Sequence, residues 1–242
     1  IMNKLFSFLL LILSVTVLNA QPPKYDDLKI LYADANYEKL VKVADNYTLK
    51  DDLKKEVMPF LWLAKGLYKI SLSGTSDEKF KNAYKDAIGA LSKAIKNDKD
   101  GTGLTDHMEF VNEFQLSMVT TIENDLGAKD YNKASGWVLK YFKITKNPIG
   151  AKYLDGAMKY RKADKGGANA AWKEADLMLQ KITSVDNWSE ADKKMLMYGA
   201  LETAECYLAS KQREKAKTLL NKVAQWFEDD DTFKEKYDAI VN

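Results

Sequence analysis

The residues of this chain that could do chemistry are few and far apart. It has one histidine, His107, and one cysteine, Cys206. A zinc site asks for three or four Cys, His or carboxylate ligands, and no spacing here pairs His107 with Cys206. Cys206 reads as a small core residue, with an intermolecular disulfide as the alternative. His107 falls in the first turn of an expected helix. Hydrolytic triads need a nucleophile supported by a base, usually a histidine, and no Gly-x-Ser-x-Gly is present. Gly150-Ala-Lys152 lacks the upstream glycine and the following Ser or Thr of a phosphate loop. Gly101-Thr-Gly103 lacks the strand that a dinucleotide turn follows. Asp229-Asp230-Asp231 lacks the alternating spacing of a calcium loop and reads as a solvated helix end. Asn46-Tyr-Thr48 and Asn187-Trp-Ser189 match the glycosylation triplet, which matters only in a eukaryotic secretory route. Paired carboxylates could serve a glycosidase, but helical glycosidases build a larger barrel than this chain can. We therefore expect no catalytic residue, no cofactor and no bound metal.

Charge narrows the partners further. The chain has 37 Lys and Arg against 35 Asp and Glu. That balance argues against nucleic acid or an anionic membrane surface as the partner. A single cysteine allows no intrachain disulfide, so stability must come from packing. With 46% hydrophobic residues, 12 glycines and 4 prolines, the composition favours helices.

The elements that must carry any binding surface show themselves by repetition. Ala216-Lys-Thr-Leu-Leu-Asn-Lys-Val223 places a small residue, a Leu four on and an apolar residue three further on one helical face. The pattern recurs at Ala175–Ile182 and Ala87–Ala94, and more loosely from Ala134 to Tyr141 and from Leu40 to Tyr47. The five copies begin at 40, 87, 134, 175 and 216, so successive spacings are 47, 47, 41 and 41 residues. A unit recurring at such a period predicts stacked helix pairs.

Upstream of the last copy, Ala204 and Tyr207 stand on the preceding helix. With Ala216, Leu220 and Val223 they resemble the tetratricopeptide repeat (TPR), which carries a small residue and Tyr on its first helix and a small–bulky–small stripe on its second. Ala64 with Leu67, and Ala157 with Tyr160, look similar. Tyr37-Glu-Lys, Tyr131-Asn-Lys and Arg213-Glu-Lys occupy the inter-helix turn. The resemblance covers most of residues 25–227 and implies an all-α, right-handed αα-solenoid of about five TPR-like helix pairs with a short C-terminal capping helix. The spacings exceed that family's 34 residues, which keeps another α-solenoid such as HEAT open.

The first twenty residues read as a signal peptide. Lys4 gives a positive start, Leu5 to Leu18 an apolar stretch shorter than the ~20 residues of a membrane span, and Asn19-Ala20 a cleavage junction. The expected mature unit is 21–242, without an integral membrane segment after cleavage and close to neutral, since loss of Lys4 leaves 36 basic against 35 acidic residues. Low cysteine, many Lys, Asn and Tyr, and an Ala-Gln junction look like exported Bacteroidota proteins, placing it in the periplasm or outside the cell.

Along the chain, Asp51 or Asp52 is expected to cap a helix that Pro59 interrupts early, so that the helix restarts there and runs to Leu72. Ser76 caps the next, and Asp106–Glu109 forms a capping box. Lys165-Gly-Gly breaks the helix begun at 149, with a mobile loop over 165–169. Ser189-Glu-Ala-Asp192 caps a long helix, and tight turns fall at Ala35-Asn36, Lys129-Asp130 and Lys211-Gln212. By the resemblance, the first helices of each pair line the binding face for a protein or peptide. Its exposed positions would be Trp62, Lys65, Tyr68 and Lys69, then Met158, Arg161 and Lys162, then Tyr198, Glu202 and Glu205. The function implied is a non-catalytic scaffold for protein–protein interaction; the alternative is a helical protein that holds a glycan or small molecule through its tryptophans.

Overall fold

The computed structural model describes residues 25–242; the expected signal peptide and its cleavage junction lie outside the described residues. The described residues form eleven α-helices and no strand. They are α1 (Asp26–Ala33), α2 (Tyr37–Thr48), α3 (Val57–Leu72), α4 (Ala83–Asn97), α5 (Met108–Gly127), α6 (Tyr131–Tyr141), α7 (Ile149–Arg161), α8 (Lys165–Leu179), α9 (Glu190–Ala209), α10 (Arg213–Ala224) and α11 (Asp231–Val241). Each even-numbered helix from α2 to α10 packs on the helix before it, and α2, α6 and α10 also pack on the helix after. None of these helices is long and apolar enough to cross a membrane.

The recurring stripe is the glue. Leu40 and Ala44, Ala87, Leu91 and Ala94, Ala134, Val138 and Tyr141, Ala175 and Leu179, and Ala216, Leu220 and Val223 are all fully buried. Ile182 and Tyr47 depart from the pattern: α8 ends at Leu179 and leaves Ile182 half-buried, and Tyr47 near the end of α2 is half-buried too.

Four of the connections share one geometry. Ala35, Lys129, Ala163 and Lys211 all take positive φ, between 54° and 67°. In each turn the next residue's N–H reaches back five residues, as from Asn36 to the Leu31 carbonyl at 2.9 Å and from Asp130 to that of Asp125 at 2.8 Å. The positive-φ residue itself reaches back three. This paired bond is the Schellman motif, where glycine is the usual occupant. A non-glycine residue there is strained by about 1–2 kcal/mol, partly offset by its stiffer unfolded chain. Exposed Lys129 makes the test simple: Lys129→Gly should raise unfolding stability by about 0.5–1 kcal/mol, read by urea titration. A loss of stability would mean that the lysine side chain contributes something the turn geometry does not explain.

Several boundaries differ from expectation. Asp51 and Asp52 lie in a turn held by buried Leu53, and Glu56 occupies the N-cap of α3, leaving Pro59 in the first turn where its missing N–H is harmless. Asp77 replaces Ser76 as a cap, accepting from the Lys79 N–H at 3.0 Å. Asp106 sits inside a single 3-10 turn, so α5 begins at Met108 without a capping box. Lys165-Gly-Gly opens a helix: Asp164 accepts from the Gly167 N–H at 2.8 Å and starts α8 there. The loop expected over 165–169 is therefore helical. Ser189 caps α9 as expected, accepting from the Asp192 N–H at 3.1 Å. The acidic run at 229–231 opens α11, with Asp230 accepting from the Phe233 N–H.

The packing is not a simple succession of neighbours. α9 rests on α7 and also reaches α5. Ser189 donates to Gln115 at 3.0 Å, and the Ala191 N–H reaches Asn112. Beside them the buried Asp192 carboxylate accepts from Tyr141 at 2.7 Å, Thr145 at 2.6 Å and Asn147 at 3.1 Å. The start of α9 thus ties together α5, the end of α6 and the segment leading into α7.

Candidate functional site

The ten positions expected on the first-helix face separate into two clusters; four of them are buried, five half-buried, and Lys162 is exposed. Trp62, Lys65 and Tyr68 on α3 are buried, as is Met158 on α7. Trp62 lies edge-on to Tyr32 and to His107, while Tyr68 packs among Tyr84, Phe110 and Phe114. An aromatic at helical spacing is core whenever a neighbouring helix covers that side, and here α1 and α5 do so.

Lys65 is the unusual member. Its Nζ lies 3.3 Å from His107 Nδ1 and within 5.4 Å of the Tyr32, Trp62 and Phe110 ring centres. Burial pushes its ammonium pKa down, against the pull of Glu109 and Glu113. Lys69, one turn on, is half-exposed and pairs with Glu113 at 3.2 Å. His107, read from the sequence as a plain helix-start residue, is half-buried here, and burial followed by the Lys65 charge holds its imidazole pKa below 6.5. The folded chain therefore binds a proton there less readily than the unfolded chain. Stability should be complete above about pH 6.5 and fall as the pH drops through the lowered pKa. As the chain has one histidine, its single imidazole proton resonance gives the midpoint directly. We expect it below 6.5, and expect His107→Phe to flatten the acid limb of the stability curve. A midpoint above 6.5 would contradict the geometry.

The second cluster does come together. Arg161 at the end of α7 donates to Glu202 at 2.6 Å and to Glu205 at 2.9 Å on α9, with its guanidinium 4.6 Å over the Tyr131 ring. Lys236 of α11 adds a contact to Glu205 at 2.8 Å. Lys162 is exposed and donates to Ser135 at 3.0 Å, and half-buried Tyr198 faces Glu123. These charges satisfy one another across α7, α9 and α11. They clamp the helices, while exposed Lys162 has the Ser135 hydroxyl as its partner and takes no part in the ion cluster.

Cys206 is buried beside this clamp, and burial lifts its thiol pKa to about 12. A buried, protonated thiol is poorly placed for an intermolecular disulfide. Of the tryptophans, Trp62 and Trp172 are buried, and the Trp172 indole N–H donates to the Tyr153 carbonyl at 3.2 Å, which leaves those two unsuited to stacking on a sugar. No group of three or more His, Cys, Asp or Glu among the described residues is placed to hold a metal.

A surface shaped to receive something lies on the other side of α3. α2 and α4 both pack on α3, and between them runs an open groove of about 490 Å³. Phe60, Leu63 and Leu67 form its floor, Val41 and Thr48 one wall, Gly89 and Ala90 the other. Val41, Lys79 and Phe80 also line a second hollow of about 540 Å³ that continues it toward Asn36. Periodicity could not locate this groove, because its width depends on two helices separated by the long α3–α4 connection.

No protein-family profile matches the chain, and no curated protein matches it at a significant level.

Proposed function

We propose that this chain is a non-catalytic helical-repeat scaffold that mediates protein–protein interaction. In this reading it is a right-handed, TPR-like solenoid of about five helix pairs capped by α11. It is exported to the periplasm in the Bacteroidota manner and works within an outer-membrane secretion or assembly complex. The observation that carries the interaction role is the open groove along α3, walled by two second helices, with half-buried Leu63 between buried Phe60 and Leu67 on its floor. Apolar grooves between helices are a common way to receive a peptide or helix from another protein. The four matching turns support the repeat reading. The export and lineage readings rest on residues 1–20 and composition alone.

The test is site-specific photo-cross-linking in cells. A photoreactive residue at Lys93 reports on the groove, and one at Glu205 on the α7–α9 face. A discrete adduct to one protein from Lys93 is expected. No adduct from either site, with the chain present and folded, would defeat the scaffold reading.

A further inference from the structure

We propose that the groove between α2 and α4 takes an acidic amphipathic helix of two to three turns from a partner protein. This deepens the docking reading above and rests on it. The walls set the length. Val41 to Thr48 on one side and Asp86 to Lys93 on the other each span seven residues, about 10 Å of helix. The floor is a single face of α3, with Phe60, Leu63 and Leu67 at helical spacing. A helix offering apolar side chains at i, i+4 and i+7 matches such a floor.

Gly89 points the same way. Glycine inside a helix costs about 1 kcal/mol relative to Ala. At Gly66, Gly150, Gly156 and Gly199 a neighbouring group fills the place of the missing Cβ. At Gly89 nothing lies within 4 Å of that place, so the fold's own packing does not require a glycine there. Gly127, Gly136 and Gly166 are equally open, but Gly89 is the one on the groove wall. With Ala90 beside it, it lets another backbone come close to α4.

Charge selects the occupant. Lys79 is already paired with Glu38 and Asp77, each at 2.9 Å. Exposed Lys85 and Lys93, and Lys39 and Lys42 along the continuation, have no carboxylate within 4 Å among the described residues. Asp45 and Asp86 on the groove walls equal Lys85 and Lys93 in number, so the excess of positive charge comes from Lys39 and Lys42 along the continuation. Lys93 stands 5.2 Å over the Phe60 ring, at the edge of the apolar floor. A carboxylate flanking the occupant's apolar ridge would meet Lys93 there, whereas a lysine would be repelled.

The test uses the full chain and two designed helical peptides of about three turns. They share one leucine ridge and differ only in flanks of Glu or of Lys. Binding is read by fluorescence anisotropy at low and at physiological salt, with analytical centrifugation of the chain alone. The Glu peptide should bind at least about ten-fold tighter than its Lys twin, with the gap narrowing in salt. Gly89→Trp, which fills open space and should leave the circular dichroism unchanged, should weaken it by a similar factor. Lys85→Glu with Lys93→Glu should reverse the preference. Equal binding of the twins, or binding indifferent to Gly89→Trp, overturns the proposal. So does a chain that self-associates and releases its second copy when the Glu peptide is added. A native partner captured equally by Gly89→Trp would keep the scaffold role but place it elsewhere. Loss of both capture and peptide binding would remove both.

Discussion

Gly199→Ala is expected to destabilise the protein by roughly 3 kcal/mol or more, although it adds one methyl group. α7 and α9 approach so closely that a Cβ on Gly199 would overlap the Gly150 carbonyl oxygen. A Cβ on Gly150 would in turn overlap the backbone of Met195 and Leu196. A flexible side chain could rotate away, but these obstacles are backbone atoms inside packed helices. The natural control is Gly136→Ala in α6, where nothing lies within 4 Å of the added atom. It should stabilise by about 1 kcal/mol through helix propensity alone. Urea titration of both variants measures the contrast. Gly150→Ala should behave like Gly199→Ala, and the double variant should lose less than the sum, because one separation of α7 from α9 relieves both clashes. If Gly199→Ala and Gly136→Ala fall within about 0.5 kcal/mol of each other, the close approach of these two helices is wrong.

The second large effect is expected at Leu220. Leu220→Ala removes a fully buried side chain from the stripe that joins α10 to α9, at a cost of about 2–5 kcal/mol. Lys222, two residues on and half-exposed, should change stability by no more than about 0.5 kcal/mol. The repeat pattern alone predicts lost protection over residues 195–227, the whole last pair. The structure narrows this. α9 is held by α7 through the Gly150–Gly199 approach and by α5 through Gln115 and Asn112. Hydrogen exchange should therefore rise across α10 and α11 and leave most of α9 protected. Loss of protection spreading evenly through α9 would show that its ties to α5 and α7 are weak. Equal behaviour of Leu220→Ala and Lys222→Ala would show that the stripe does not face α9.

What the sequence determined by itself was local. Small and bulky apolar residues at i, i+4 and i+7 can bury only one helical face, so Ala87, Leu91, Ala134, Val138, Ala216 and Leu220 could be placed in the core from spacing alone. Turns at Ala35, Lys129 and Lys211 were legible because polar residues and the start of a new stripe follow each of them at once. The fourth such turn, at Ala163, was hidden by Gly166 and Gly167, which read as helix breakers. The Asp164 cap outweighs their poor propensity, because it satisfies a backbone N–H that would otherwise lack a partner.

Tertiary structure decided whatever depends on how many neighbours a helix has. Trp62, Tyr68 and Met158 occupy positions that one partner helix would leave exposed, and a second and third partner bury them. Arg161, Glu202 and Glu205 were named singly by the repeat resemblance; only the crossing of α7 with α9 joins them into one ion cluster. Gly150 and Gly199 lie 49 residues apart, and neither hints at the other until two backbones meet. The α2–α4 groove is likewise set by the gap between two helices that both pack on α3. Periodicity records which face of a helix is apolar, whereas the distance between two faces is a property of the assembled chain.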